Sequence, residues 1–355
     1  MRPKNSLPVK ADSQVAARAT IADVAQKAGV SKATVSRFLN HRDTLSRAIA
    51  GRVEAAIGAL DYSPSPMAQA LKRGRSRLIG LMVADVTNPF SVAVLRGAEK
   101  ACQEAGYVLM LFNLGNDVGR EREAIATLSS YQVEGFLLHT FGRDAGAMSA
   151  AARHGKPAVM IDRRHNAMQT DFVSLDNAGA VAMGVNHLVQ AGYRELLFIT
   201  EPVMDVSPRI EREAAFRACI EAQTLNVRGA TVENTEADNA GLETALRALR
   251  ARASNSRRPA LLTGNAVITL RVASAMARLG WQFGDEIGLV GFDETEWAPL
   301  IGPGLSTIAQ PTDELGRMAA HCLIERLKGL TFPPRQILLS GHLIVRGSSR
   351  RAFNY

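Results

Sequence analysis

TIADVAQKAGVSKATVSRFLN, residues 20–40, carries two short helical patterns separated by one glycine. Thr20 is a residue type that caps helix starts, and Asp23 stands three residues on, the spacing of a capping box. Ile21, Val24, Ala25 and Ala28 then fall on one helical face. Gly29 accepts the left-handed conformation that ends a helix. Ser31 is a second N-cap, and Val35, Phe38 and Leu39 give the next helix its own apolar stripe. Two helices joined by a glycine turn, the second displaying Lys32, Ala33, Thr34, Ser36 and Arg37, form a helix-turn-helix pattern. A third helix is predicted over roughly Ser46 to Leu60, with Val53, Ala56, Ile57 and Leu60 facing inward.

The residue types fit DNA. The second helix can lie in the major groove with its N-terminus toward the duplex. Ser31 and Thr34 can hold phosphates there, helped by the free N–H groups of the first turn. Lys32, Ala33 and Arg37 can reach base edges. The competing reading is a small helical bundle that meets no nucleic acid. Charge placement weighs against it. The chain carries a net charge of +8, but residues 1–80 hold 14 Lys and Arg against 5 Asp and Glu. The rest holds 28 against 29, so all the excess positive charge sits at the N-terminal end. A basic module on a near-neutral body points to a polyanionic partner.

At 355 residues and 46% hydrophobic, the chain can build two or three packed units. No apolar run reaches the roughly eighteen residues of a membrane span. The first twenty residues lack the apolar core of a signal peptide, so a cytoplasmic protein is expected, with residues 1–18 a disordered tail. Cys102, Cys219 and Cys322 are widely separated and each lies in a helix-like apolar pattern, which reads as reduced core thiols. The seven histidines show no metal-ligand spacing, and no cofactor motif is found.

From Arg77 onward, apolar strands alternate with helices. SRLIGLMVAD, YVLMLFNL, VEGFLLHT and PAVMIDRR read as strands, with helices predicted near 89–105, 119–131 and 144–154. A second series starts near residue 179, with a helix to Ala191. It continues as ELLFIT, a helix over 209–222, a weak strand near Ala230 and a helix over 239–251. PALLTGN, a helix over 266–279 and EIGLVGFD complete it. Strict alternation predicts two doubly wound α/β lobes with a ligand between the carboxyl ends of their strands. The strand-end residues are Asp85 to Ser91, Asn113, His139 and Thr140, Asp162 to Arg164, Thr263 to Asn265 and Asp293. Each could instead be a solvated loop residue or a helix cap.

TIADVAQKAGVSKATVSRFLN resembles the DNA-reading helices of LacI-type bacterial transcription regulators, the family of the lactose and purine repressors, and the likeness runs from residue 20 to about 348. It implies an N-terminal all-α helix-turn-helix domain plus a two-lobed α/β periplasmic-binding-protein-like core with parallel sheets. The implied boundaries are 19–64 for the DNA-binding domain, 65–77 for a hinge helix and 78–355 for the effector-binding and dimerisation core. Lobe 1 is expected at about 78–177 and 308–332, and lobe 2 at about 178–307 and 333–350. DNA contacts are expected from Thr20, Ser31, Lys32, Ala33, Thr34, Ser36, Arg37 and Asn40. In the hinge, Met67, Ala70 and Leu71 are expected to contact DNA, with Leu71 as a minor-groove wedge. Two departures stand out: Asp61 where glycine ends the third helix, and Gly51 in that helix's middle.

The resemblance also places effector contacts at Phe90, Ser91, Asn113, Asp162, Arg163, Arg212, Asn265 and Asp293. Ser91 replaces the second of two aromatics that sandwich a ring, which disfavours a purine. Ala266 replaces an acid. With Arg163, Arg164 and Arg212 nearby, the cleft is expected to be positive and the effector a sugar acid. SPMAQALKRGRSRLIGL and YVLMLFNLGN resemble the regulators of gluconate and 2-ketogluconate use. A repressor of sugar-acid catabolism is therefore expected, working as a homodimer on a near-palindromic double-stranded operator and released by effector. The rivals are an enzyme and a transport-type sugar-binding protein. The chain has no nucleophile elbow, Walker loop or HExxH for the first, and a transport protein would lack residues 20–62.

Overall fold

The computed structural model describes residues 19–63, 75–115, 117, 119–140, 155–165, 169–204, 206–254 and 256–350. The chain divides into two compact units, one ending at Ser76 and one beginning at Arg77. The first holds α1 (Ile21–Ala28), α2 (Lys32–Asn40), a single 3-10 turn (Arg42–Thr44) and α3 (Arg47–Ala59). Thr20 and Asp23 close a reciprocal capping box, and Gly29 ends α1 at φ 63°. Ser31 and Ser46 cap α2 and α3. The inward residues Val24, Ala25, Ala28, Val35, Phe38, Val53 and Ala56 meet in one small core. Asp61 takes φ 46°, the left-handed turn that glycine would enter without strain. Nothing lies within 4 Å of where a Cβ on Gly51 would stand, so no packing reason explains that glycine. The expected tail over 1–18 and residues 65–74 of the expected hinge, with Met67, Ala70 and Leu71, lie outside the described residues.

The second unit contains two six-stranded sheets. The first is built from β1 (Leu78–Val83), β2 (Val108–Asn113), β3 (Gly135–His139), β4 (Ala158–Ile161), β5 (Asp171–Leu175) and β11 (Gln336–Leu339). Its order is β11-β5-β4-β3-β1-β2 and every pairing is parallel. The helices α4 (Pro89–Glu104), α5 (Arg120–Ser130) and α10 (Thr312–Leu327) accompany it. The second sheet holds β6 (Tyr193–Thr200), β7 (Arg228–Glu233), β8 (Arg258–Thr263), β9 (Gly288–Phe292), β10 (Ser306–Ala309) and β12 (His342–Ile344). Its order is β12-β10-β9-β8-β6-β7, parallel except for the edge strand β12. Its helices are α6 (Asn177–Gln190), α7 (Ser207–Glu221), α8 (Asn239–Ala251) and α9 (Ala266–Leu279). β1 and β6 each lie where the winding reverses, which opens a crevice at the strands' carboxyl ends.

Two expectations need correction. Strict alternation fails at β5: this strand follows β4 and pairs with it in parallel, with no helix between them among the described residues. The lobe boundary near 333 is also wrong. β11 pairs with β5, so the chain stays in the first lobe through Leu339 and only β12 returns to the second. β11 covers the backbone edge that β5 would otherwise leave open. Residues 308 and 309 also move, since β10 belongs to the second sheet. The helix predicted at 144–154 lies outside the described residues.

The chain therefore crosses between lobes three times, after Leu175, after Ala309 and after Leu339. The crossings run side by side. Asp176 N–H donates to the Leu339 carbonyl at 2.8 Å. A Cβ on Gly341 would meet the Ala309 carbonyl at 3.0 Å and Leu175 at 3.4 Å, so glycine lets the strands approach.

Candidate nucleic-acid interface and effector cleft

On α2, Val35 and Phe38 are buried and turn inward. That leaves Ser31, Lys32, Ala33, Arg37 and Asn40 exposed, with Thr34 and Ser36 half-buried. Ser31 Oγ accepts from the Thr34 N–H at 3.1 Å and lies 2.9 Å from Thr34 Oγ1. Asn40 Nδ2 donates to the Ser36 carbonyl at 2.6 Å. Neither Lys32 nor Arg37 is held in an ion pair among the described residues. Two exposed cations, Lys32 at the start of α2 and Arg37 in its last turn, suit a phosphate-bearing groove. Thr20 differs from expectation. Its N–H and its hydroxyl both donate to Asp23 Oδ2, at 2.8 and 2.7 Å. Those bonds hold the Asp23 carboxyl below its ordinary range. Thr20 thus has no spare proton for a phosphate; its observed job is to start α1.

The candidate effector cleft has a volume of about 700 Å³ and lies at the carboxyl ends of both sheets. Phe90, Ser91, Asp162, Arg163, Arg212, Asn265 and Asp293 all line it. Asp162 directly follows β4 at φ 62° and Asp293 directly follows β9 at φ 73°. Each lobe thus presents one aspartate in the strained left-handed conformation, a common mark of a functional site.

Arg212, on α7, is 6% exposed and ties the cleft together. Its Nε donates to Asn177 Oδ1 at 2.7 Å and its Nη1 to the Gly264 carbonyl at 2.6 Å. Its Nη2 reaches Gln310 Oε1 at 3.4 Å, and its plane stacks 4.2 Å from the centre of the Phe292 ring. Asn177 and Gln310 sit just after two of the lobe crossings. Gln310 Nε2 donates in turn to Asp293 Oδ1 at 2.6 Å. The N–H of Ala266, at the start of α9, donates to Asp293 Oδ2 at 2.8 Å.

The two aspartates are pushed apart. Burial raises Asp293 above the ordinary carboxylate range, and the Arg212 charge and these hydrogen bonds only partly oppose it. Burial also works to raise Asp162. There the His139 hydrogen bond and the charges of Arg212 and Arg163 win, and the carboxyl is held low. Burial lowers the Arg163 guanidinium to about 10, which leaves it charged at neutral pH.

Three site expectations change. Asn113 is not in the cleft lining: its Oδ1 accepts from Val86 and Gly115 N–H, at 3.2 and 3.3 Å, and braces its own turn. Asn265 lines the cleft but is occupied at both ends. Its Oδ1 caps α9 through the Ile268 N–H, and its Nδ2 donates to Glu201 Oε2 at 2.7 Å. The cleft is also not positive. Asp85, Asp162, Glu201, Glu236 and Asp293 balance Arg163, Arg209, Arg212, Arg271 and Arg278, while Arg164 is absent from the lining. Glu201, paired with Arg209 at 2.6 Å, restores an acid near Ala266. Glu201 and Gln310 were missed; Glu201 directly follows the strand ELLFIT, where the strand-end rule reaches it, whereas Gln310 follows β10, a strand not read from the sequence.

Residues 20–65 match the family of bacterial regulatory proteins, lacI family, and residues 185–349 match a periplasmic binding protein-like domain. The chain is 44% identical over 338 residues to the HTH-type transcriptional regulator PtxS of Pseudomonas plecoglossicida, covering 95% of this chain and 97% of that one. This chain belongs to the lacI family. It is 38% identical to the regulator KdgR of Bacillus subtilis, over 93% of this chain and 97% of the relative. The lac repressor dimer bound to operator shares the fold at a TM-score of 0.81 and 24% identity, covering 94% of this chain and all of that one. The protein is accordingly a DNA-binding transcription regulator rather than an enzyme. Among the described residues no helix is long and apolar enough to cross a membrane, and no group of three His, Cys, Asp or Glu could hold a metal ion.

Proposed function

We propose that this lacI-family regulator represses genes of sugar-acid catabolism in the cytoplasm. In this reading it binds a near-palindromic double-stranded operator as a homodimer and is released by 2-ketogluconate or gluconate. One observation carries the reading: a single chain joins an exposed cationic reading helix to a two-lobed polar cleft. Lys32, Ala33 and Arg37 read bases, and Ser31, Thr34, Ser36 and Asn40 support phosphate contact. Met67, Ala70 and Leu71 complete the contact from the hinge. The effector occupies the cleft between Asp162 and Asp293.

Net charge does not favour an acid there, since the lining is balanced. A local cation does: Arg163 is half-buried, charged and beside Asp162. The resemblance of residues 65–81 to regulators of gluconate and 2-ketogluconate use adds to this. Release requires that the effector prefer the lobe arrangement unable to hold DNA, because only differential affinity shifts such an equilibrium.

Footprinting and mobility-shift assays on genomic fragments selected by the full chain test the proposal. The full chain should bind specifically, and a chain lacking residues 1–75 should not. Arg37→Ala should lose about tenfold or more in specific affinity, the worth of one good base contact. Gluconate or 2-ketogluconate should release the DNA. Release by neutral glucose alone would sink the sugar-acid reading, and tighter DNA binding with effector would make the response that of a corepressor.

A further inference from the structure

Among the described residues the cleft lining contains one imidazole, and its surroundings fix what that ring can do. His139 ends β3, is 1% exposed, and places Nε2 3.5 Å from Asp162 Oδ2. Phe90 packs against it with ring centroids 5.4 Å apart. An ionised carboxylate only accepts, so Nε2 carries the ring proton and faces it. Nδ1 is then a bare acceptor. Among the described residues nothing hydrogen-bonds to His139 Nδ1, to Asp162 Oδ1 or to Ser91 Oγ, although all three atoms are buried. All three residues line the cleft. Buried polar atoms are normally paired, so these need partners from whatever fills the space.

We propose that His139 Nδ1 and Asp162 Oδ1 together accept hydrogen bonds from two hydroxyl groups of the effector, which makes His139 a specificity-determining residue for a diol. The proposal rests on reading the cleft as the effector site. A carboxylate has no proton to offer either atom and would meet the Asp162 charge. The hydroxyl end of the effector therefore faces His139 and Asp162, and any acid group turns from these two side chains toward a guanidinium of the lining such as Arg163.

The assignment has a pH consequence. Asp162 and Arg163 act on the ring from the end of β4 and Phe90 packs on it from α4, while Ser91, Arg212 and Asp293 share the cleft lining with it. Burial holds His139 below its ordinary value, with Arg163 acting in the same direction and Asp162 against it. The ring is thus neutral at pH 7. A proton added at lower pH occupies Nδ1 and turns the acceptor into a donor, so effector binding weakens on acidification.

Titration calorimetry on the full chain tests this, using 2-keto-D-gluconate, D-gluconate and D-glucose as probes between pH 8 and pH 5. The variants are His139→Asn, which can donate to Asp162 and still offer an acceptor, and His139→Leu, which can do neither. Thermal melts establish that both are folded. His139→Leu should weaken the bound probe by about 10- to 100-fold, and His139→Asn should recover most of it. Wild-type affinity should fall with pH more steeply than that of His139→Asn. That difference separates the imidazole from Asp293, whose own titration burial moves upward. Unchanged affinity in His139→Leu, or one shared pH profile, would overturn the proposal. If glucose binds and neither acid does, the sugar-acid reading fails, and the same comparison with glucose still decides the diol contact. No binding of any probe by the wild-type chain overturns both.

Discussion

Arg212→Met should yield a regulator that still holds its operator but no longer answers effector. The guanidinium spends its three nitrogens on Asn177, the Gly264 carbonyl and Gln310. Two of these partners follow lobe crossings, and Gln310 also holds Asp293. Methionine fills similar space and makes none of the bonds. It also removes the positive charge that opposes burial at Asp293 and helps keep Asp162 ionised. Effector affinity should fall by about 100-fold or more, and the core should lose about 3 kcal/mol, the scale for stripping the partner from a buried charge. The reading helices belong to the other compact unit, so operator affinity without effector should stay within about threefold of wild type. Fluorescence polarisation on labelled operator, with and without effector, measures both quantities. Arg212→Lys restores charge without the planar fan of donors and should recover little. Normal release from DNA in Arg212→Met would remove this residue from the response.

Much of the fold was legible because local signals agreed. α8 and α9 span the residues that the apolar spacing predicts, since Asp238 and Asn265 cap their starts and Gly280 ends α9. β5 was not legible for a physical reason. DFVSL carries two polar residues, and a polar residue in a short run reads as loop. In the fold, Asp171 is buried by two arginines, and Ser174 donates to the Asp162 carbonyl at 3.3 Å. Those partners lie far along the chain or in another strand, beyond any local window. β11 and β12 mislead in the opposite way. They are separated by two residues yet belong to different sheets, because a lobe crossing falls between them.

The site divides similarly. Strand-end logic reached Asp162, Arg163 and Asp293, and the family resemblance reached Arg212. It failed at Asn113, whose edge-strand turn needs its own bracing. It also misjudged the cleft's charge, because Glu201 comes from a strand end that was passed over. Pairing of acids with arginines is a property of the folded chain and leaves no mark on spacing.

Asp171→Asn should cost the core about 2 to 3 kcal/mol at neutral pH, and the cost should vanish in acid. Asp171 is 1% exposed and receives Arg326 from α10 and Arg335 from just before β11, at 2.9 and 3.0 Å. Both guanidinium groups also stack on the Phe332 ring, at 4.5 and 4.3 Å. The cluster fastens the returning segment of the first lobe to β5. Burial works to raise the Asp171 carboxyl, but the bonds from Arg326 and Arg335 overcome it and hold the carboxyl at about 2. An unfolded aspartate titrates near 3.8. The folded state therefore binds this proton more weakly than the unfolded state. Its stabilisation is complete above the unfolded value and is lost as pH falls from about 4 through 2. Asparagine keeps the shape and one acceptor but not the charge. Urea unfolding of the full chain and the variant should show the largest difference near pH 7 and convergence near pH 2. A difference that stays constant with pH would mean the loss comes from packing rather than from the ion cluster. The same clamp positions Leu339, whose carbonyl accepts from Asp176 at the first crossing. Loosening it should also blunt the effector response, because a lobe whose last strand frays cannot transmit a rigid rotation.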